Sequence, residues 1–204
     1  MRRTKEEAAR TRASIVDAAL ECFDRYGIAG STLDQIAAAA GVTKGAVYHH
    51  FGSKGEIFHE LRQHVAIPLL DEADTGMLHE PGYSPLERIE RFLAGFLDTM
   101  TRDAHTRGAL AVMQFKCEYV NGLAGELQDM VTNNTRLLAA LRRAYRDARR
   151  EGELVAGITP DIAALETNMF LAGLVRLWLM HPPTHPMRAS ARAAIRAHVK
   201  VRRR

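Results

Sequence analysis

Thr32-Leu33-Asp34-Gln35-Ile36-Ala37-Ala38-Ala39-Ala40-Gly41-Val42-Thr43-Lys44-Gly45-Ala46-Val47-Tyr48-His49-His50-Phe51 is the stretch on which the reading of this chain turns. Thr32 and Gln35 have the Thr-x-x-Gln spacing of a capping box, so a short helix opens there, turns Ile36 inward and breaks at Gly41. Thr43 then caps a second helix of about two turns that runs to Phe51. Two short helices joined through a glycine turn have the dimensions of a DNA-reading helix-turn-helix. At about 100° per residue, Val47 and Phe51 share one face of the second helix and anchor it to a core. Gly45 and His49 point the other way, flanked by Ala46 and Tyr48. That surface is slim enough for a major groove and polar enough for base edges and phosphates.

Working outward, apolar positions recur at spacings of three and four, and Ala, Leu and Arg are abundant, which predicts an all-α fold of about nine helices. Upstream, Thr4-Lys5-Glu6-Glu7 forms a capping box for a first helix that carries Ile15, Ala18, Ala19, Cys22, Phe23 and Tyr26 on one face and ends at Gly27. Downstream, Ser53-Lys54-Gly55-Glu56 opens a fourth helix that Pro68 must end or kink. Residues 71–85 have a loop composition. Ser84-Pro85 starts a fifth helix burying Ile89, Phe92, Leu93, Phe96 and Met100. A sixth spans Ala104 to Val120, and Asn121-Gly122 separates it from a long seventh with Leu127, Met130, Leu137, Leu138, Leu141 and Tyr145. Thr159-Pro160 opens an eighth with Leu165, Met169, Leu174 and Trp178, and a ninth follows the prolines at 182, 183 and 186.

Composition bounds the function. No run approaches the roughly 18 to 20 uncharged residues of a membrane span, and Glu6 and Glu7 stand where a secretory signal needs its apolar core, so a cytoplasmic protein is expected. Cys22 and Cys117 read as lone apolar thiols. The net charge of +4 is mostly a tail, because seven basic residues and no acid lie between Arg188 and Arg204. This tail reads as a solvated or frayed last helix. Lys44, Lys54, His49 and His50, by contrast, lie between Gly41 and Gly55 without one carboxylate, which makes a local basic patch. His49-His50 side chains diverge on a helix, and Pro182-Pro183 interrupts the His181 to His185 spacing, so no metal and no cofactor is expected. There is no G-x-S-x-G, H-E-x-x-H or phosphate-binding loop, and an enzyme is not expected.

The motif from Gly41 to Phe51, followed by Ser53-Lys54, resembles the TetR family of bacterial repressors. Thr4-Lys5-Glu6-Glu7-Ala8, Lys116-Cys117-Glu118-Tyr119 and Gly173-Leu174 with Trp178 resemble the AcrR/TtgR-like branch that controls multidrug efflux pumps. The resemblance implies a three-helix DNA-binding domain, residues 1–54, and a ligand-binding and dimerisation domain, residues 55–204. It implies that Thr32, Thr43, Lys44, Gly45, Tyr48, His49 and Lys54 approach operator DNA, Tyr48 and Lys54 at phosphates. His49 replaces the branch's usual Trp and Lys44 its frequent Arg, which alters how guanine is gripped. It further implies a small hydrophobic ligand, drug-like or phenolic, lined by Leu110, Met113, Gln114, Cys117, Leu138, Ala172 and Arg176, and a homodimer joined through Leu174 and Leu177. A regulator of a metabolic operon answering another hydrophobic metabolite is the alternative. A purely architectural DNA-binding protein fits less well, because residues 55–204 exceed what dimerisation alone requires.

Overall fold

The computed structural model describes residues 5–71, 76–120 and 123–204, and among these the chain is helical with no named strand. Nine α-helices follow in order: α1 (Lys5–Gly30), α2 (Leu33–Ala39), α3 (Lys44–His50), α4 (Lys54–Asp71), α5 (Pro85–Arg102), α6 (Ala104–Phe115), α7 (Ala124–Arg150), α8 (Pro160–Met180) and α9 (Pro186–Lys200). The expected box at Thr4 and the Asn121-Gly122 break lie outside the described residues. The helices sort into two compact units, Met1–Ile67 with His105–Gln128, and Pro68–Ala104 with Asp129–Arg204.

In the first unit, Ile15, Ala19 and Phe23 of α1 meet a core completed by Ile36, Val47, Phe51, Ile57, Phe58 and Leu61, all essentially inaccessible to water. Each such side chain contributes about 1.5–3 kcal/mol on burial. Gly27 takes φ +71°, a left-handed conformation that suits glycine, and breaks α1 where the sequence ends it. Tyr26, expected on the buried face, is exposed with the Arg25 guanidinium 5.3 Å from its ring centre. Gly41, φ +65°, makes the turn between α2 and α3. The box at the start of α4 is rearranged: Ser53 Oγ accepts from Glu56 N at 3.3 Å, but the Glu56 carboxylate accepts from Gly52 N at 2.9 Å. Pro68 does not end α4, which continues to Asp71.

The sixth helix is shorter than its apolar pattern predicts, stopping at Phe115 rather than Val120. Tertiary hydrogen bonds divert the backbone. The carbonyl of Lys116 accepts from Ile28 N at 3.2 Å, its ammonium meets the Asp24 carboxylate at 2.7 Å, and the Tyr119 hydroxyl donates to the Met113 carbonyl at 2.8 Å. Arg62 on α4 is buried with its charge, and Glu126, from the first turn of α7, compensates it while accepting from His59 Nδ1 at 2.7 Å. Removing one partner of such a pair strands a buried charge, which costs about 3–5 kcal/mol.

In the second unit, the reciprocal box of Ser84 and Glu87 starts α5, and Ile89, Phe92, Leu93, Leu97 and Met100 are buried, with Phe96 only half-buried. α7 buries Ala140, Leu141, Ala144, Tyr145 and Ala148, whereas Leu137 and Leu138 are half-buried. α8 is long and apolar enough to cross a membrane by length and hydropathy. It nevertheless packs Ala163, Ala164, Leu171, Leu174 and Trp178 into this core and pairs Glu166 with the buried Arg202 at 2.6 Å. A polar chain runs behind it: the Tyr145 hydroxyl lies 2.6 Å from Thr167 Oγ1, which lies 2.9 Å from His198 Nε2. Burial, and secondarily the Arg202 charge, push the His198 pKa down to about 4, so the ring is neutral at physiological pH.

The basic tail is not frayed. Val155 N donates to the Arg202 carbonyl at 2.9 Å and Arg204 N to the Glu153 carbonyl at 2.8 Å, around a Leu154–Arg203 bridge. Arg192 pairs with Asp98, and Arg188 donates to the carbonyls of Trp178 and His181. Arg196, Lys200 and Arg203 instead line a surface groove of about 560 Å³ with Tyr83, Glu90 and Arg91.

Candidate nucleic-acid interface

The reading surface is built from caps and a packed inner face. Thr32 accepts from Gln35 N at 3.2 Å while Gln35 Oε1 accepts from Thr32 N at 2.9 Å, so its hydroxyl is already held at the start of α2. Thr43 Oγ1 accepts from Ala46 N at 3.2 Å and sets the start of α3. Val47 and Phe51 lock α3 from within, and Arg12 of α1 locks it from the side. The Arg12 guanidinium lies 4.1 Å from the Phe51 ring centre, donates to the His50 carbonyl at 2.7 Å and pairs with Glu60 of α4. Nothing in the spacing around Arg12 signals this role, because its partners lie 38 to 48 residues away.

With the inner face fixed, Thr43, Lys44, Gly45, Tyr48 and His49 are all exposed on or beside α3, as expected. No heavy atom other than Thr43 Oγ1, at 3.9 Å, would approach a Cβ at Gly45, so this glycine keeps the outer face flat rather than relieving an internal clash. Lys44 is not a free cation. Its ammonium lies 2.8 Å from the Asp34 carboxylate on α2 and 5.9 Å from the Tyr48 ring centre, and the hydrogen bond to Asp34, with the Coulomb attraction, raises its pKa. The stretch from Gly41 to Gly55 lacks a carboxylate, but the neighbouring helix supplies one.

Lys54 has partners within the chain. Expected at a DNA phosphate, its ammonium donates to the carbonyls of Ala29 and Ser31 at 2.8 and 2.9 Å, tying the start of α4 to the end of α1. The reason is geometric: unpaired carbonyls where α1 unwinds after Gly27 lie within reach of the lysine.

The expected ligand residues divide between the units. In the first, Met113 is buried, Leu110 and Cys117 are half-buried and Gln114 is exposed; burial pushes the Cys117 thiol up to about 11, leaving it protonated. In the second, Leu138 is half-buried, but Ala172 and Arg176, expected to line a cavity, lie on the exposed face of α8. At about 100° per residue Arg176 falls opposite Ala164, Leu171, Leu174 and Trp178, and Ala172 lies to their side. The expected interface pair is likewise split, since Leu174 is buried in the chain's own core while Leu177 is exposed. Ile162, Leu165, Met169 and Met180 are exposed on the same side as Leu177.

A short capped helix held rigidly from behind, with glycine, lysine, tyrosine and histidine turned outward, defines a helix-turn-helix DNA-binding regulator. Residues 15–61 match the model for bacterial regulatory proteins of the tetR family, and residues 84–203 match the C-terminal region of MAATS-type transcriptional repressors. The chain is 32% identical over 189 residues to the HTH-type transcriptional regulator TtgR of Pseudomonas putida, covering 89% of this chain and 86% of that one. It is 31% identical over 182 residues to the HTH-type transcriptional repressor BepR of Brucella suis, covering 88% and 85%. Among solved structures it is similar to NalD, the secondary repressor of the MexAB-OprM multidrug efflux pump in Pseudomonas aeruginosa, with TM-score 0.81, 25% identity, and 98% and 99% of the two chains covered. A SmeT–triclosan complex gives TM-score 0.80 at 25% identity, with 96% and 92% covered. The chain belongs to the TetR family. It is a ligand-responsive regulator that binds operator DNA, and not an enzyme.

Proposed function

We propose that this protein is a cytoplasmic, homodimeric repressor of a multidrug efflux operon that leaves its operator when a bulky, mainly apolar compound binds. Residues 1–54 read the DNA, and residues 55–204 hold the ligand and the partner chain. The observation that carries the reading is the division of α3: Val47 is sealed in the core while Lys44, Tyr48 and His49 face outward. Thr43, Lys44 and Gly45 approach the groove, Tyr48 meets a phosphate, and Lys44 and His49 choose among bases. Thr32 and Lys54 act from behind, by holding α2 and α4. Leu177, with Ile162, Leu165, Met169 and Met180, is the partner face; Ala172 and Arg176 belong to it rather than to the ligand site, and Leu174 supports it from within. Leu110, Met113 and Cys117 line the ligand site, with Gln114 at its exposed edge as the polar anchor.

A ligand releases DNA only by favouring the conformation that binds DNA poorly. A coupling of about 1–3 kcal/mol weakens operator binding roughly 5- to 150-fold. The test is selection of the operator from genomic fragments, followed by titration of the complex with hydrophobic drugs, dyes and plant phenolics. Release in that range by compounds that bind the protein supports the reading. Compounds that bind and leave operator affinity unchanged refute it.

A further inference from the structure

Lys44 is the one lysine on α3, and a carboxylate from outside the helix engages it. Asp34 Oδ1 lies 2.8 Å and Oδ2 2.9 Å from its Nζ, so the acid takes up the ammonium with both oxygens. Both side chains are more than half exposed, at 55% and 63%, so the pair is reachable by DNA and is held only by its own geometry. Asp34 sits in the first turn of α2, where an acid also favours the positive end of the helix, but no capping bond depends on it. The start of α2 is already closed by the reciprocal bonds of Thr32 and Gln35. An acidic side chain beside the recognition helix is costly next to phosphates, because it cancels one of the cations that release counterions from the duplex. It competes for the same donors that a guanine edge or a phosphate would take.

We propose that Asp34 is an intramolecular competitor of DNA for Lys44, an affinity-setting residue that keeps operator binding weak enough to be reversed by a ligand. The inference rests on the DNA-reading role proposed for α3. In the free protein Lys44 is closed on Asp34. On operator DNA it swings to the duplex, and the Asp34 carboxylate is left facing the phosphates. Operator affinity is therefore reduced twice, by the broken pair and by the uncovered acid. The raised pKa of Lys44 agrees with a carboxylate that holds the ammonium in its charged form.

The test is a double-mutant cycle on the full-length protein with Asp34→Asn, Lys44→Ala and both, read by titration against the selected operator fragment and a scrambled duplex of the same length across a salt series. Asp34→Asn is expected to tighten operator binding roughly 2- to 5-fold. It should also steepen the dependence of log affinity on log salt by up to about one unit, as no uncovered acid then offsets a cation at the duplex. The gain should be larger with Lys44 present than in the Lys44→Ala background, because only then is a pair broken. Unchanged or weaker operator binding by a folded Asp34→Asn protein would overturn the proposal. So would an equal or larger gain without Lys44, since Asp34 would then act only as a general negative charge. Thermal unfolding of each variant verifies that α2 is intact. If the wild-type chain fails to prefer the operator fragment over the scrambled duplex, the DNA-reading role itself fails, whereas the cycle on either duplex still reports on the Asp34–Lys44 competition.

Discussion

α3 and α8 each seal one face in a core and leave the other uncovered, but what they leave uncovered is different. α3 turns out Lys44, Tyr48 and His49, groups that water solvates well until a polyanion replaces it. α8 turns out Ile162, Leu165, Met169, Leu177 and Met180, an apolar strip that water solvates poorly. On the function proposed above, the first is the surface of a reversible encounter and the second that of a lasting one. A regulator needs both, because a fixed pair of reading heads sets the half-site spacing that a single head cannot specify.

The comparison breaks most completely if the apolar strip is charged. Met169→Arg, at an exposed position of α8, should give a folded monomer by sedimentation and lower specific operator affinity on the order of 100-fold or more, since two half-sites are no longer read together. A dimer that persists, or a monomer that binds the operator as before, would mean that the strip has another use. The same helix offers a sharper contrast between neighbours on its two faces. In the monomeric background, Leu174→Ala should cost about 2–5 kcal/mol in denaturant unfolding and Leu177→Ala less than about 0.5 kcal/mol. Equal losses would show that the burial assigned to Leu174 is wrong.

On α3 the effects are smaller and of another kind. Tyr48→Ala should weaken binding to every duplex by about 1 kcal/mol, whereas His49→Ala should change the order of preference among sequences more than the average affinity. A sequence-dependent loss for Tyr48 would move it from phosphate to base. An effect of a different kind is on pH. His198 behind α8 takes up a proton near pH 6.5 when unfolded but only near 4 when folded, so between these values the unfolded chain binds more protons. Stability attributable to this group is therefore complete above pH 6.5 and lost as the pH falls toward 4. His198→Asn should flatten that part of the melting-temperature profile.

Local chemistry made much of this legible. The reciprocal caps at Thr32 and Ser84, the turn at Gly41, the break at Gly27 and the inward pair Val47 and Phe51 all follow from interactions within four residues, and all stand in the structure. The tail was misread for the converse reason. Arg188 and Arg192 stand at the four-residue spacing of a solvated helix face and Arg202 in the basic run beyond it, yet their partners, the Trp178 carbonyl, Asp98 and Glu166, lie 10 to 94 residues away. The end of α6 shows the same limit, because the bonds that divert Lys116 go to Ile28 and Asp24.

The sequence by itself determined the helices, the reading head and the family, because caps, glycine turns and helical periodicity act between near neighbours and are written in consecutive residues. Only the tertiary structure decided which exposed charges are free and which faces are spare. Lys54 is spent on α1, Lys44 on Asp34 and Arg62 on Glu126, while Ala172 and Arg176 turn away from the core that their periodicity alone could not locate. Period identifies two faces of a helix but not which of them is covered, and an ion pair forms where the fold brings charges within a few ångströms, whatever their separation along the chain.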